Sequence, residues 1–284
     1  MLRTKLRRLL FVTAWLVALS GVVAVCLEPE ISRIPDPKVR AKAAILYNPT
    51  TGKVLWQENS QGQLSIASLT KVMTIIVFME QHPDLTREAV ISISDVRRAS
   101  ITYIRSKERV VVRDLLHLAL IASDNAAARA LARISPWGTT GFIERMNEKA
   151  KELGLWNTRF TDPSGLDPGN VSSAYDISRL IAYVSDNKQI CEIMRKESYQ
   201  IRTNRRRVTV RSTNKLLGGD LDVRAGKTGY IRKAGFCLAA LLHLPEIDRV
   251  AVVVLGAHSN AGRFREAKKL VDWLTTEGKS IIQD

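Results

Sequence analysis

Hydrophobic and polar positions give the chain three stretches of different grain. First, residues 9–27, LLFVTAWLVALSGVVAVCL, run without a single charge behind the basic segment MLRTKLRRLL. A mixed middle follows. Two short β-like runs, KAAILYN (42–48) and KVLWQEN (53–59), flank PTTG, which signals a hairpin. From Ser68 to about Glu80 nearly every position is apolar, the pattern of a helix buried on all sides. Residues 86–113 are mixed and end in the β-like RVVVR. A helical period runs from Asp114 through DLLHLALIA, stops at SDN (123–125) and resumes as AAARALARI. Further helices are expected over about 140–153 and 174–185, separated by the Asp/Pro/Gly-rich loop TDPSGLDPGN (161–170). The last third is strand-rich. RRRVTVRS (205–212) reads as a strand, GFCLAALLHL (235–244) and RVAVVVLGA (249–257) as buried ones, and GRFREAKKLVDWLTT (262–276) as an amphipathic helix.

Strands at both ends with helices between predict one α/β (α+β) unit. Its sheet is mostly antiparallel and assembled from both chain ends, with a helical lobe inserted. Residues 41–284 are therefore expected to form a single domain. Residues 28–40, with three prolines and mixed charge, are expected to be an extended spacer. Residues 1–27 are expected to be an export signal or a membrane anchor.

Composition sharpens this only through charge. The hydrophobic share of 45% and charged share of 25% are ordinary, but the net charge is +15. Arg3, Lys5, Arg7 and Arg8 account for four of those charges ahead of the first acid, Glu28. A basic cluster before an apolar run is the pattern of export, and residues 9–27 are also long enough to span a bilayer. The protein is expected to work outside the cytoplasm, in the periplasm or its equivalent. Nucleic acid is not an expected partner there, so the basic run RTNRRRVTVR (202–211) reads as a solvated face or a contact with anionic wall or membrane surfaces. Cys191 and Cys237 have no metal-ligand spacing and the four histidines are scattered, so neither metal nor other cofactor is expected.

The chemistry begins at SLTK, residues 68–71. A serine that merely caps a helix prefers an acid three residues later, yet here the third residue is Lys71. The helix dipole disfavours a cation at that end, and a lysine buried among Leu69, Val72, Met73 and Ile75 is costly unless it sheds its proton. A neutral lysine one turn from a serine hydroxyl can accept that hydroxyl's proton, which suits nucleophilic catalysis. Two further polar interruptions stand out: Ser123-Asp124-Asn125 breaks a helical pattern, and GKTGY (226–230) precedes a buried strand.

Taken together, Ser68-Leu69-Thr70-Lys71, Ser123-Asp124-Asn125 and Lys227-Thr228-Gly229 resemble the three signature motifs of penicillin-binding serine peptidases and serine β-lactamases. ASLTKVMT, FTDPSGLDPGNVSSAYDISRL, STNKLLG and KTGYIRKAGFCLAA narrow the resemblance to the low-molecular-mass D-alanyl-D-alanine carboxypeptidase/endopeptidase family. It implies a penicillin-binding transpeptidase-like fold, peptidoglycan stem peptides as substrate and β-lactam antibiotics as covalent inhibitors. Ser68 would be the acylated nucleophile, Lys71 its base and Ser123 the proton relay to the leaving amine. Asn125 would bond both Lys71 and the substrate backbone. Lys227 would hold positive potential and keep Lys71 neutral, and Thr228, beside Gly229, would bind the substrate's carboxylate end. The amides of Ser68 and Tyr230 would form the oxyanion hole, and Arg263 matches an arginine that helps bind a terminal carboxylate.

Many carboxypeptidases of this family carry an additional β-rich domain, and a chain without room for one leans toward the endopeptidase branch. Two alternatives remain. A class A β-lactamase would need a glutamate on the loop after the second motif, where NTRFTDPSGLDPGN offers only Asp162 and Asp167. A catalytically inactive wall-binding relative would not need the full polar set.

Overall fold

The computed structural model describes residues 35–283; the export segment and most of the expected spacer lie outside the described residues. Chain order begins with β1 (Ala43–Asn48), β2 (Lys53–Glu58) and β3 (Leu64–Ser65), followed by a 3-10 turn at Ala67–Leu69 that leads into α1 (Thr70–Met79). Then come β4 (Glu88–Val90), α2 (Ile93–Val96), β5 (Arg109–Val111), α3 (Val112–Ile121), α4 (Asn125–Ile134) and α5 (Gly138–Glu152). The chain continues through β6 (Val171–Ser172), α6 (Ala174–Val184), α7 (Lys188–Met194), β7 (Ser198–Arg202) and β8 (Arg207–Arg211). It closes with β9 (Asp222–Ile231), β10 (Gly235–Leu244), β11 (Ile247–Ala257), α8 (Asn260–Thr276) and α9 (Lys279–Gln283).

The main sheet has the order β2-β1-β11-β10-β9, and every neighbouring pair is antiparallel. Sequence-distant strands thus meet as the pattern predicted, with β1 beside β11. Both faces of the central strands are covered, which is why their sequences are continuous apolar runs rather than alternating ones. Ile45, Val253 and Ala239 lie in register and join the core of the helical lobe. Their neighbours Leu46, Val252 and Ala240 point the opposite way. On α8, Phe264, Ala267, Leu270, Val271 and Leu274 fall at helical spacing, are buried, and pack over β10 and β11.

In the lobe, α1 is buried from Thr70 through Phe78 and packs against α3, α4, α5 and α6. Pro37 and Val39 are buried, Arg40 N donates to Glu266, and Lys269 donates to Lys38 O. The described residues 35–40 are therefore packed along α8, with Lys38 in a left-handed conformation. No helix among the described residues is long and apolar enough to cross a membrane.

Three local expectations change. Ser68 does not open α1; it sits in the preceding 3-10 turn, and the helix starts at Thr70. GKTGY does precede the buried strand β10, but it is itself strand, lying within β9 at the edge of the sheet. Its glycines mimic turn punctuation, whereas their cause is close packing. RRRVTVRS does form β8, but it pairs with an unforeseen β7 in a separate two-stranded ribbon. The helix α7 was also not foreseen.

Candidate active site

The nucleophile turn is clamped between two glycines. Ala67 has a left-handed φ of 48°. Gly165 (φ +81°) approaches so closely that an added Cβ would lie 2.1 Å from Ala67 O and 2.9 Å from the Ser68 amide nitrogen. From the other side, a Cβ on Gly229 would lie 2.9 Å from Ile66 O and 3.0 Å from the Ser68 nitrogen. Neither position has room for a side chain. Loop 161–170 and strand β9 therefore hold Ser68 between them, which leaves its side chain partly exposed while Ala67 and Leu69 are buried.

Lys71 is fully buried, and its Nζ meets three oxygens: Ser68 Oγ at 2.9 Å, Asn125 Oδ1 at 2.7 Å and Ser164 O at 2.6 Å. Two of these, an amide and a peptide carbonyl, only accept. A neutral amine satisfies all three by donating two hydrogens to Asn125 and Ser164 and taking the Ser68 hydroxyl hydrogen on its lone pair. Burial pulls the Lys71 pKa from the ordinary lysine range to about 7, with Asp162 and Asp124 acting against the shift and Arg129 adding to it. The carboxylate of Asp162 accepts from the backbone nitrogens of Ser164, Gly165 and Asp167 and from the Ser164 hydroxyl. Its first task is to shape the loop that brings the Ser164 carbonyl to Lys71.

The second motif enters from the junction of α3 and α4. Asp124 caps α4 by accepting from Ala127 N, and Ser123 takes a left-handed φ of 58°. That turn points Ser123 Oγ at Lys227 Nζ, 2.9 Å away, while Asn125 faces Lys71. The Asn125 Nδ2 hydrogens go to Ala99 O (2.6 Å) and Ser100 Oγ (3.2 Å). Both Nδ2 hydrogens are thus engaged within the chain itself.

On β9, Lys227 is fully buried and also donates to Thr228 O at 2.9 Å. Burial, then Lys71 and Arg263, push its pKa well below the lysine range. For Lys71 as for Lys227, burial is the first cause of the lowered pKa. Thr228 Oγ1 lies 2.6 Å from Thr213 Oγ1. Tyr230 is exposed and stacks on Phe236, with ring centroids 4.2 Å apart.

Arg263 is not a solvated helix residue. It is buried behind β9 and donates to Gly229 O, Cys237 O and Asn260 Oδ1. Burial lowers its pKa to about 10, so it stays cationic at neutral pH, and its Nε is buried with no hydrogen-bond partner among the described residues.

Sequence reasoning missed Ser164, whose role is a backbone carbonyl, and Thr213, which stood in the quoted STNKLLG without a role. A concavity of about 650 Å³ between α1, α6 and α7 holds none of these groups. Among the described residues no cluster of His, Cys, Asp and Glu has the makings of a metal site, and Cys191 and Cys237 are unpaired.

A serine on a clamped turn, a buried lysine whose pKa burial lowers to about 7 and a second serine–lysine pair define a class: serine acyl-transfer enzymes of the penicillin-binding fold. Comparison with known proteins agrees. The model of the D-alanyl-D-alanine carboxypeptidase family, peptidase S11, matches residues 31–259. The D-alanyl-D-alanine endopeptidase of Pseudomonas aeruginosa is 32% identical over 276 residues, 95% of this chain and 89% of that one. Two solved structures are similar. The D-alanyl-D-alanine carboxypeptidase of Mycobacterium tuberculosis H37Rv superposes with a TM-score of 0.78 at 25% identity, covering 84% of this chain and 92% of that one. Penicillin-binding protein D2 of Listeria monocytogenes, in its ampicillin-bound form, gives 0.73 at 29% identity, covering 84% and 99%. The chain belongs to the D-alanyl-D-alanine carboxypeptidase family of serine peptidases.

Proposed function

We propose that this peptidase cleaves peptidoglycan stem peptides at D-alanyl bonds through an acyl-Ser68 intermediate. The observation that carries the reading is the Lys71 Nζ position, 2.9 Å from Ser68 Oγ and fully withdrawn from water. Lys71 takes the hydroxyl proton as Ser68 Oγ bonds to the penultimate D-alanine carbonyl carbon. The tetrahedral oxyanion forms beside the Ser68 and Tyr230 amides, donors worth about 3 kcal/mol each when preorganised. The C–N bond then breaks, and the proton that Lys71 took passes through Ser123, which Lys227 holds, to the leaving amine, returning Lys71 to its neutral form. Water attacks the ester with Lys71 again as base, and Ser68 recovers its proton. The leaving group is free D-alanine in a carboxypeptidase reaction and a second stem in an endopeptidase reaction.

The β-lactamase alternative lacks support, because Asp162 already accepts four hydrogen bonds within its own loop and residues 161–170 contain no glutamate. An inactive wall-binding role is not needed to explain a cleft in which every reacting group is within hydrogen-bond reach. The protein acts outside the cytoplasm, with residues 1–27 as export signal or anchor. β-Lactams acylate Ser68.

Electrostatic contact with anionic wall or membrane surfaces falls to the β7–β8 ribbon. Its exposed Arg202 and Arg207 are directly opposed, a like-charge pairing that costs stability, and among the described residues neither has an acidic partner.

The test is covalent labelling of the purified full chain with a fluorescent penicillin beside Ser68→Ala on a denaturing gel. A stable adduct on the wild type alone is expected. No adduct, or one that vanishes within seconds, would sink the peptidase reading.

A further inference from the structure

Among the described residues the most exposed large apolar side chain is Trp156, at 78%. The other described tryptophans, Trp56, Trp137 and Trp273, are buried or half-buried. A solitary exposed apolar residue needs no explanation by itself. Trp156 differs in how firmly it is presented. It stands in the turn after α5, between buried Leu155 and half-buried Asn157. Arg179 of α6 donates to Gly154 O at 2.8 Å and to Leu153 O at 2.9 Å, Leu155 N donates to Ala150 O, and Thr158 N donates to Leu155 O. The buried Asp176 carboxylate accepts from Asn157 N at 2.8 Å. Gly154 takes a left-handed φ of 65°, and a Cβ there would stand 3.4 Å from the Arg179 guanidinium and 3.8 Å from Trp156 Nε1. A turn fixed at this many points holds a large aromatic side chain in water, without the burial that tryptophan ordinarily gains.

Beside the indole stand three side-chain amides. Gln63 Nε2 donates to Asn157 O at 3.1 Å, and Asn157 Nδ2 donates to Gln61 Oε1 at 3.2 Å. These bonds use one end of each glutamine amide; the Gln61 NH2 and Gln63 Oε1 belong to exposed residues and can meet a ligand. An aromatic face flanked by neutral donors and acceptors matches a sugar ring. Ring C–H groups pack on the negative face of the indole, and hydroxyl and acetamido groups pair with the amides. A polyanion would call for free cations, whereas the guanidinium of neighbouring Arg179 is engaged with two carbonyls.

The platform also shares a frame with the nucleophile. Gln63 leads into β3, which pairs with β6, and Val171 of β6 exchanges both backbone bonds with Arg159, at 2.9 and 3.0 Å. Gln63 precedes Ser68 by five residues, no more than about 18 Å of chain, which is the reach of about five extended residues of a bound peptide. Resting on the peptidase reading above, we propose that Trp156, with Gln61 and Gln63, is a glycan platform. It stacks on an N-acylated amino sugar of the strand that carries the stem peptide while the stem occupies the cleft.

The experiment titrates the full chain with a β-linked N-acetylglucosamine tetramer by calorimetry. It also measures kcat/KM for a peptide ending in D-alanyl-D-alanine, free and linked to a disaccharide of N-acylated amino sugars. Wild type, Trp156→Ala, Trp156→Phe and Gln61→Ala with Gln63→Ala are compared. The wild type is expected to bind the tetramer independently of salt and to prefer the linked substrate about tenfold, through KM. Trp156→Ala should lose both properties while hydrolysis of the free peptide and penicillin labelling stay at wild-type rates. Trp156→Phe should keep part of the preference, and the glutamine pair should lower it about threefold. Equal wild-type kcat/KM for the linked and free substrates would overturn the proposal and leave the peptidase reading intact. So would an equal loss toward both substrates in Trp156→Ala, since the residue would then act on the loop at 161–170. Binding of polyglutamate in place of the tetramer, released by high salt, would overturn it in favour of an anionic partner. Failure of Ser68-dependent labelling is a separate result that removes the peptidase reading and, with it, the substrate proposed here.

Discussion

Two ways of burying charge stand side by side in the helical lobe. Asp95, 2% exposed, receives Arg133 through Nε and NH2 and caps α2 as well. Lys71, 0% exposed, receives only neutral oxygens. In the first case an opposite charge at 2.7 Å offsets the loss of hydration. In the second nothing of opposite sign touches the amine, and the cheaper course is to give up the proton. The same fold thus uses paired charge to hold α2 against α4 and unpaired charge to make a base.

That contrast breaks most sharply at Lys71. Lys71→Met is expected to cut acylation by at least about a thousandfold, read from the rate of penicillin labelling. The wild-type acylation rate should rise with pH through about 7, because only the neutral amine accepts the serine proton. Stability follows the same sign. A lysine whose folded pKa is depressed binds fewer protons than the unfolded chain between about 7 and the ordinary lysine value. The wild type should therefore gain stability over Lys71→Met by up to about 1.4 kcal/mol per pH unit across that window, and below it the full penalty is present. Denaturant midpoints of both proteins at several pH values check this. A difference that does not change with pH would mean the amine stays charged.

The opposite arm comes next in size. Arg133→Gln leaves Asp95 buried without its cation and should cost about 3 kcal/mol in urea unfolding, with labelling of the folded fraction unchanged. The smallest effect is expected on the ribbon. Arg205→Gln with Arg207→Gln should shift stability by no more than about 0.5 kcal/mol, yet weaken salt-sensitive pull-down on purified sacculi. Arg206 must be left out of that variant, since it holds Glu108 and Tyr103.

How much of this was legible follows from what each residue does with its side chain. The buried strands β10 and β11 and the helices α1, α3 and α4 could be read from pattern, and the pairing of Ser68 with Lys71 from spacing, whereas Ser123, Asn125, Lys227 and Thr228 were singled out by the resemblance that the three motifs carry together. The strand β9 could not, because Gly226 and Gly229 look like turn residues until Asn214, Ile66 and Ala67 are seen pressing against them. Ser164 contributes a carbonyl, which no residue type announces. Arg206 was hidden inside a run of identical neighbours, and only the alternation of ribbon and loop contacts separates it from Arg205 and Arg207. For Arg263, a helix position near a chain end suggested solvent. The observed partners are strand carbonyls that become neighbours only once α8 folds back over the sheet.

The strand order carries a consequence for the timing of activity. The central position of the sheet belongs to β11, among the last elements in the chain, and both β1 and β10 lean on it. Until it is in place, β1 and β2 have no sheet to join, and β9 has no supported partner from which to press Gly229 against the nucleophile turn. A chain still emerging cannot assemble half a cleft and begin cutting. The blade is sheathed by its own topology until nearly the whole polypeptide is available, and the reactive serine and its base come together in the same cooperative step that completes the fold.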